Sequence, residues 1–311
     1  MDGTNVNPFI PIPSKRRNII ITIFQTILAI MKFPLFFMSF TLSFIYNMVA
    51  SMIPIALLKR LVMQLTSKIL FKILLFLSGL LSINPQPTPL IDTYSVPQEE
   101  TKPKSGDIII SNCASYLNLF WLQQQFSPIF VIPCLESDSE VYVFSVYGLL
   151  MRILTVQPLR RHQKVPLSIV IQQSKQIKCP IVIFPEAAVT NGEYLINFRD
   201  FGKDVDVNDL NFHIYGFLHF GSSFSPNFTF GNSISHLFRM IGRPFSGMKI
   251  KMALPQDIPR TESNSIDSAW IAKCRSIMAT IMGVKMVDVD GAEFEKYANR
   301  RMSKRKKEHK D

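Results

Sequence analysis

From Asn18 to Leu58 the chain carries one charged residue, Lys32, and from Phe33 to Leu58 it carries none. A bilayer crossing takes about 20 apolar residues. The stretch is long enough for one helix with slack, or for two short limbs bent at Pro34 or further along. Lys15-Arg16-Arg17 precede it and Lys59-Arg60 follow it. Basic clusters at both ends favour the cytosolic side for both, as in a re-entrant hairpin. The apolar run is too long for a cleaved signal peptide, and no small-residue cleavage site follows it. The alternative, a buried helical hairpin of a soluble protein, would show a polar face, and none is visible. Residues 1–17 are therefore read as a basic N-terminal tail and 18–60 as a membrane hairpin.

The rest of the composition agrees with a membrane setting. Over 311 residues the chain is 47% hydrophobic, has 25 Phe and carries a net charge of +11. Basic charge suits either nucleic acid or anionic lipid, and the apolar excess selects lipid. No RNP-type aromatic motif, zinc-ligand spacing or phosphate-binding loop is present, so no nucleic-acid partner is expected. Cys113, Cys134, Cys179 and Cys274 are far apart and form no CxxC, as expected for reduced thiols in a cytosolic compartment.

Residues 61–83 place Lys68 and Lys72 in otherwise apolar sequence and read as an interfacial helix, with burial against the domain as the alternative. Residues 84–106 contain five prolines and read as a linker or an extended lead-in. From Asp107 the texture changes to strands alternating with helices. Strands are expected at 107–110, within 127–135, at 154–159, 179–184, 212–220 and 248–254. Helices are expected at 166–178, where Leu167, Val170, Ile171, Ser174 and Ile177 share a face, and along the stripe Ile266, Trp270, Cys274, Ile277 and Ile281. Alternation of this kind implies an α/β domain over 107–290, a layered and mostly parallel sheet flanked by helices, behind an N-terminal helical membrane anchor. Residues 291–311 hold seven Lys and Arg between Arg300 and Lys310, read as a basic C-terminal tail that is solvated or rests on anionic lipid.

In such sheets, sites lie beyond the carboxyl ends of the strands. Two polar blocks occupy such ends: "SNCASYLNLFWL" after the first strand and "FPEAAVTNG" after the strand at 179–184. Together they resemble the glycerophospholipid acyltransferases, which move an acyl chain from coenzyme A to a lysophospholipid. That family reads Asn-His-x-x-x-x-Asp at the first block and Phe-Pro-Glu-Gly-Thr at the second, often followed by Thr-Asn-Gly. The resemblance sets Cys113 at the place of the family His and Asn118 at that of the Asp, and matches Pro185, Glu186, Thr190, Asn191 and Gly192 in the second block. The downstream segment "HLFRMIGRPFSGMKIKMALP" is similar to the family's closing segment. The likeness is greatest to a fungal lysophosphatidic acid branch that also reads Asn-Cys and ends in a basic tail.

The resemblance implies a glycerol-3-phosphate acyltransferase-like fold, acyl-CoA as co-substrate, a lysophospholipid acceptor, membrane lipids as partners, and no cofactor or metal. It also implies the endoplasmic reticulum membrane and lipid droplet, with the domain facing the cytosol. There, Glu186 and an arginine grip the acceptor phosphate. Arg160 and Arg161 are the nearest candidates, since a guanidinium fork suits a phosphate; a solvated strand end is the other reading.

The departures bear on the chemistry. A thiol is a nucleophile more than a proton shuttle, and Asn118 brings no charge to an imidazolium. Cys113 is then either a thioester-forming nucleophile or a buried, inert thiol. Ala187 and Ala188 replace the family Gly-Thr. His162, His213, His219 and His236 are dispersed and none stands out as a substitute, although His162 follows the arginines closely. An acyltransferase making phosphatidic acid is expected, against a catalytically degenerate lipid-binding or adaptor protein of the same fold. On a cytosolic domain the sequon Asn227-Phe228-Thr229 stays free of glycan.

Overall fold

The computed structural model describes residues 7–13, 18–81, 83–90, 102–159, 162–208, 210–220, 224–261 and 265–308, the last eight as backbone alone. Arg160, Arg161 and the Lys15–Arg17 cluster lie outside the described residues. So do 91–101 of the proline-rich stretch.

Two long helices come first, α1 (Ile19–Ser51) and α2 (Ala56–Leu77), packed against each other and joined by a short turn at 52–55. The side chain of Asn18 caps α1 by accepting from the Ile20 amide. Pro34 lies inside α1 without dividing it into two limbs. The hairpin therefore turns at Pro54, and the expected boundary at residue 60 falls inside α2. Arg60, one of the two basic residues expected to flank the apolar run, does not face solvent. It is buried and donates to the Phe126 and Ser127 carbonyls, both at 2.6 Å.

The remaining elements are β1 (Pro85–Pro87), β2 (Ile108–Ser111), α3 (Tyr116–Phe126), β3 (Ile129–Pro133), β4 (Glu140–Phe144), α4 (Val146–Thr155), β5 (Lys164–Pro166), α5 (Leu167–Ile177), β6 (Ile181–Ile183), β7 (Tyr194–Leu195), β8 (Phe212–Phe220), α6 (Ser233–Ile241), β9 (Gly247–Met252), α7 (Ser268–Met282), β10 (Lys285–Met286) and α8 (Gly291–Glu308). Eight strands form one mixed sheet in the order β1-β9-β8-β2-β6-β3-β4-β5. Its centre, β8-β2-β6-β3, is parallel throughout, and the antiparallel pairings fall toward the flanks. The central strands bury both faces and read as runs of Ile and Val, as parallel strands do. One face packs under α1–α4 in a core that includes Phe71, Phe120, Trp121 and Phe217. The other packs on α5 and α7 through Val170, Trp270, Cys274 and Met278.

Two expectations fail and one, the extended lead-in, is sharpened. Residues 154–159 form no strand, because α4 runs to Thr155 and stops where Val156 turns left-handed. The proline-rich lead-in contributes β1, an edge strand on β9, a position where proline does little harm because the outer edge pairs with nothing. The C-terminal segment is not a tail from residue 291. Its first turns form a helix with Phe294 and Ala298 buried. Asparagine and proline composition hid the edge strand, and the lysine run hid the helix.

α1 is long and apolar enough to cross a membrane. Its inner side holds to the domain, however. Lys32 donates to the Arg243 carbonyl, Asn47 to the Tyr147 hydroxyl, and Tyr147 to Ser43, at 2.9–3.1 Å. Near Gln25 and Ala29, α1 comes so close to Gly242 that a Cβ there would lie 2.4 Å from the Gln25 carbonyl oxygen. The outer side of the hairpin exposes Ile23, Met31, Phe37, Leu61, Leu65 and Ile69, among others.

Candidate functional site

The parallel centre of the sheet brings the carboxyl ends of β8, β2 and β6 side by side, and each ends in polar residues. After β2, Asn112 continues the pairing with β8 through its side chain. Its Oδ1 accepts from the Phe217 amide at 2.8 Å and its Nδ2 donates to the Phe217 carbonyl at 3.1 Å. Ser115 then caps α3, which fixes the turn holding Cys113.

After β6, Phe184 and Pro185 lead to Glu186, which is fully buried. Its carboxylate accepts from the Cys113 amide and the Ile196 amide, both at 3.3 Å. The two blocks, 73 residues apart, therefore meet through this carboxylate. Burial pushes the Glu186 carboxyl up to about 7 against the pull of the two amides and of Arg275.

Ala187 adopts φ of 51°, in the left-handed region that costs an L-residue roughly 1–2 kcal/mol. It is the position at which the family pattern has glycine. Beyond it, the Thr190 amide donates to the Cys113 carbonyl at 3.3 Å. Gly192 is required by close approach as well as by its φ of +77°, since a Cβ would stand 2.5 Å from Asn227 Nδ2. Asn227 is buried and donates that amide to the Asn191 carbonyl. In the folded protein this sequon is enclosed, so a glycan on Asn227 would have to be attached before the chain folds.

Two terminal segments cover the site. Asn191 donates from its backbone to the Pro8 carbonyl at 2.8 Å and from its side chain to the Ile10 carbonyl at 3.2 Å. Phe9 and Phe230 both pack against Phe294 of α8 with tilted rings, the centroids 5.4 and 5.3 Å away. Gly291 opens that helix so close to the site that a Cβ would come within 2.3 Å of the Glu186 carbonyl oxygen.

Cys113 is 4% exposed and its thiol is pushed up to about 12 by burial, with Arg152 pulling the other way. A thiol in that state is protonated and inert at neutral pH. Asn118 is fully buried. Its Nδ2 donates to the Asn112 carbonyl at 3.3 Å, and its Oδ1 meets His219 Nε2 at 2.5 Å. His236, a second buried histidine in this region, uses both nitrogens, on the Tyr116 hydroxyl and the Ser225 carbonyl. His162 lies against the Phe144 ring, at 4.7 Å.

Arg152, which the sequence did not single out, is the buried arginine of the site. Its Nη2 donates to the Ala187 carbonyl at 3.3 Å and pairs with Glu295 of α8 at 3.2 Å. Its place inside the apolar stretch "LLMRILT" was the available signal, because a lone charge on a buried helix face demands a partner. Beside Asn227 lies an open pocket of about 220 Å³ lined by Phe224, Phe228, Ser235, His236 and Arg239.

Comparison with protein-family models, with curated proteins and with solved structures finds no match for this chain.

Proposed function

We propose that the chain is an acyltransferase of the membrane surface, taking an acyl chain from acyl-CoA and placing it on a lysophospholipid, with lysophosphatidic acid as acceptor and phosphatidic acid as product. The observation that supports this best is the bond between the Glu186 carboxylate and the Cys113 amide. It joins the two blocks of the acyltransferase pattern at the carboxyl ends of neighbouring parallel strands, where α/β sheets keep their sites. The left-handed Ala187 at the family's glycine position adds a local backbone argument.

The hairpin gives the reaction its setting. Because α1 packs on the domain from Ala29 to Asn47, it lies along a membrane surface with its exposed apolar side in lipid, as interfacial helices do. A monotopic arrangement of this kind suits the cytosolic face of the endoplasmic reticulum and the monolayer of a lipid droplet. It presents the carboxyl ends of the sheet to acyl-CoA from the water and to a lysolipid from the bilayer. Charging the exposed side by Leu61→Lys, Leu65→Lys and Ile69→Lys together is expected to abolish flotation with phosphatidylcholine vesicles. Unchanged flotation would overturn the membrane-surface placement.

The test of the activity is acyl transfer from labelled oleoyl-CoA to lysophosphatidic acid by the purified full-length protein. Phosphatidic acid should form, and Glu186→Ala should lose most of it. A wild type without product, or turnover that survives Glu186→Ala, would overturn the reading. A second reading has one observation in its favour: the protonated, enclosed Cys113 thiol supplies neither base nor nucleophile, as expected of a lipid-binding protein that has kept the fold and lost the chemistry.

A further inference from the structure

The acyltransferase reading leaves the reaction without a base, since Cys113 holds its proton and the Asn118 carboxamide is not basic. β8 runs parallel to β2 and so delivers His219 to the same end of the sheet. There its Nε2 stands 2.5 Å from Asn118 Oδ1. We propose that His219 is the general base of the acyl transfer and that Asn118 is the residue that positions it.

The hydrogen bonds settle the tautomer. The Asn118 amide is anchored by Nδ2, which donates to the Asn112 carbonyl, an oxygen that can only accept. Oδ1 must then be the atom that faces the imidazole, and it too can only accept. His219 therefore carries its proton on Nε2, and Nδ1 holds the lone pair. That Nδ1 is enclosed and has no hydrogen-bond partner among the described residues. An enclosed acceptor without a donor is unfavourable, and in a native structure it calls for an explanation such as a catalytic role or a bound water.

The hydroxyl of a lysophospholipid supplies one. Its proton passes to Nδ1 as its oxygen attacks the thioester carbonyl, forming the ester C–O bond. The C–S bond then breaks, and the coenzyme A thiolate leaves with the proton that Nδ1 gives back. The imidazole ends as it began, so no further reactant is needed. Burial depresses the imidazole to about 3, which keeps it unprotonated and ready at neutral pH but makes it a weak base. His236 offers no such service, because the Ser225 carbonyl and the Tyr116 hydroxyl occupy both of its nitrogens.

The inference rests on the acyltransferase reading, and the experiment separates the two. Full-length wild type, His219→Ala and His219→Gln are assayed for acyl transfer from oleoyl-CoA to lysophosphatidic acid, with thermal melting recorded for each. Gln keeps a donor toward Asn118 and lacks a basic nitrogen, so it guards against mere loss of packing. Both variants are expected to lose about 10²- to 10⁴-fold in rate, the usual worth of general-base catalysis, and free imidazole is expected to restore part of the loss in His219→Ala. Asn118→Asp is expected to run faster than wild type, because a carboxylate raises the basicity of the ring, and Asn118→Leu slower. Full activity in a folded His219→Gln would overturn the base and leave the acyltransferase reading standing. A wild type without activity would overturn that reading and the base with it.

Discussion

β8 opens and closes on the same face with a histidine, and the two ends are built to different purposes. At the amino end His213 Nε2 meets Asp107 Oδ2 at 3.1 Å. That carboxylate also accepts from the Lys104 amide at 2.7 Å and from Asn211 Nδ2 at 3.1 Å. Burial pushes the Asp107 carboxyl up, but His213, the Lys104 amide and Asn211 outweigh it and hold the group below the ordinary carboxylate range. At the carboxyl end the partner of His219 is a neutral amide, one ring nitrogen is left over, and the carboxylate that follows β6 at this end of the sheet, Glu186, is pushed up instead of down. Two histidines on one strand thus show the difference between a polar cluster that closes a structure and one that leaves a valence open. The first satisfies its charge; the second keeps an unmet acceptor.

This contrast gives opposite responses to pH, and the largest expected effect is at Glu186. Its folded-state pKa is raised to about 7, so the neutral form is the one the fold favours. Its contribution is complete below the unfolded value of about 4.3 and is lost as pH rises through about 7, amounting to about 4 kcal/mol at 1.36 kcal/mol per unit. Glu186→Gln should therefore be more stable than wild type at pH 8, with the advantage gone at pH 4, when urea midpoints are compared. A difference between the two proteins that does not change with pH would break the contrast.

Asp107 should respond the other way, with a smaller magnitude. Its folded-state pKa is depressed, so its contribution is present above the unfolded value of about 3.9 and is lost as pH falls through the folded value. Asp107→Asn makes the amino end resemble the carboxyl end and should cost about 2 kcal/mol at pH 7, the scale of hydrogen bonds to a charged group. The loss should shrink below pH 4. Denaturation curves at pH 7 and pH 3 measure it directly, and a cost that grows on acidification would mean the carboxylate is not the stabilising form.

The smallest effect tests the backbone of the carboxyl end. Ala187→Gly relieves a left-handed alanine at φ of 51°, which costs roughly 1–2 kcal/mol, and gives back about 0.5–1 kcal/mol in chain entropy. A net gain of about 1 kcal/mol or less in stability is expected, read as a rise in melting temperature. A clear loss would show that the Ala187 methyl, 3.4 Å from where a Gly291 side chain would begin, packs against α8 more than it strains the turn.

Much of the fold could be read along the chain. The strand at 212–220 appears with the limits expected, and the helices at 166–178 and 266–281 appear as α5 and α7 within a residue or two. These segments have strong periodicity and clear punctuation, such as Pro166 before α5 and Gly283 after α7. α4 was missed because "VYGLLMRILT" is apolar all round, and its last residues pass equally well for a strand. The start of α8 was missed because basic residues dominate the chain that follows it from Arg300, although Phe294, Tyr297 and Ala298 lie at helical spacing.

By itself the sequence determined which residues end a strand in a polar group, because hydrophobic runs and their stops are local: Asn112-Cys113 and Glu186 were legible as strand ends, while His219 was not singled out. It also determined that the chain from Phe33 to Leu58 carries no charge, since charge content does not depend on packing. Only the tertiary structure decided which strand ends are neighbours. Sheet order is set by burial on both faces and by pairings between residues a hundred positions apart, and no local pattern records it. For that reason Asn118 and His219, 101 positions apart in the chain, meet in space although neither position in the sequence points to the other.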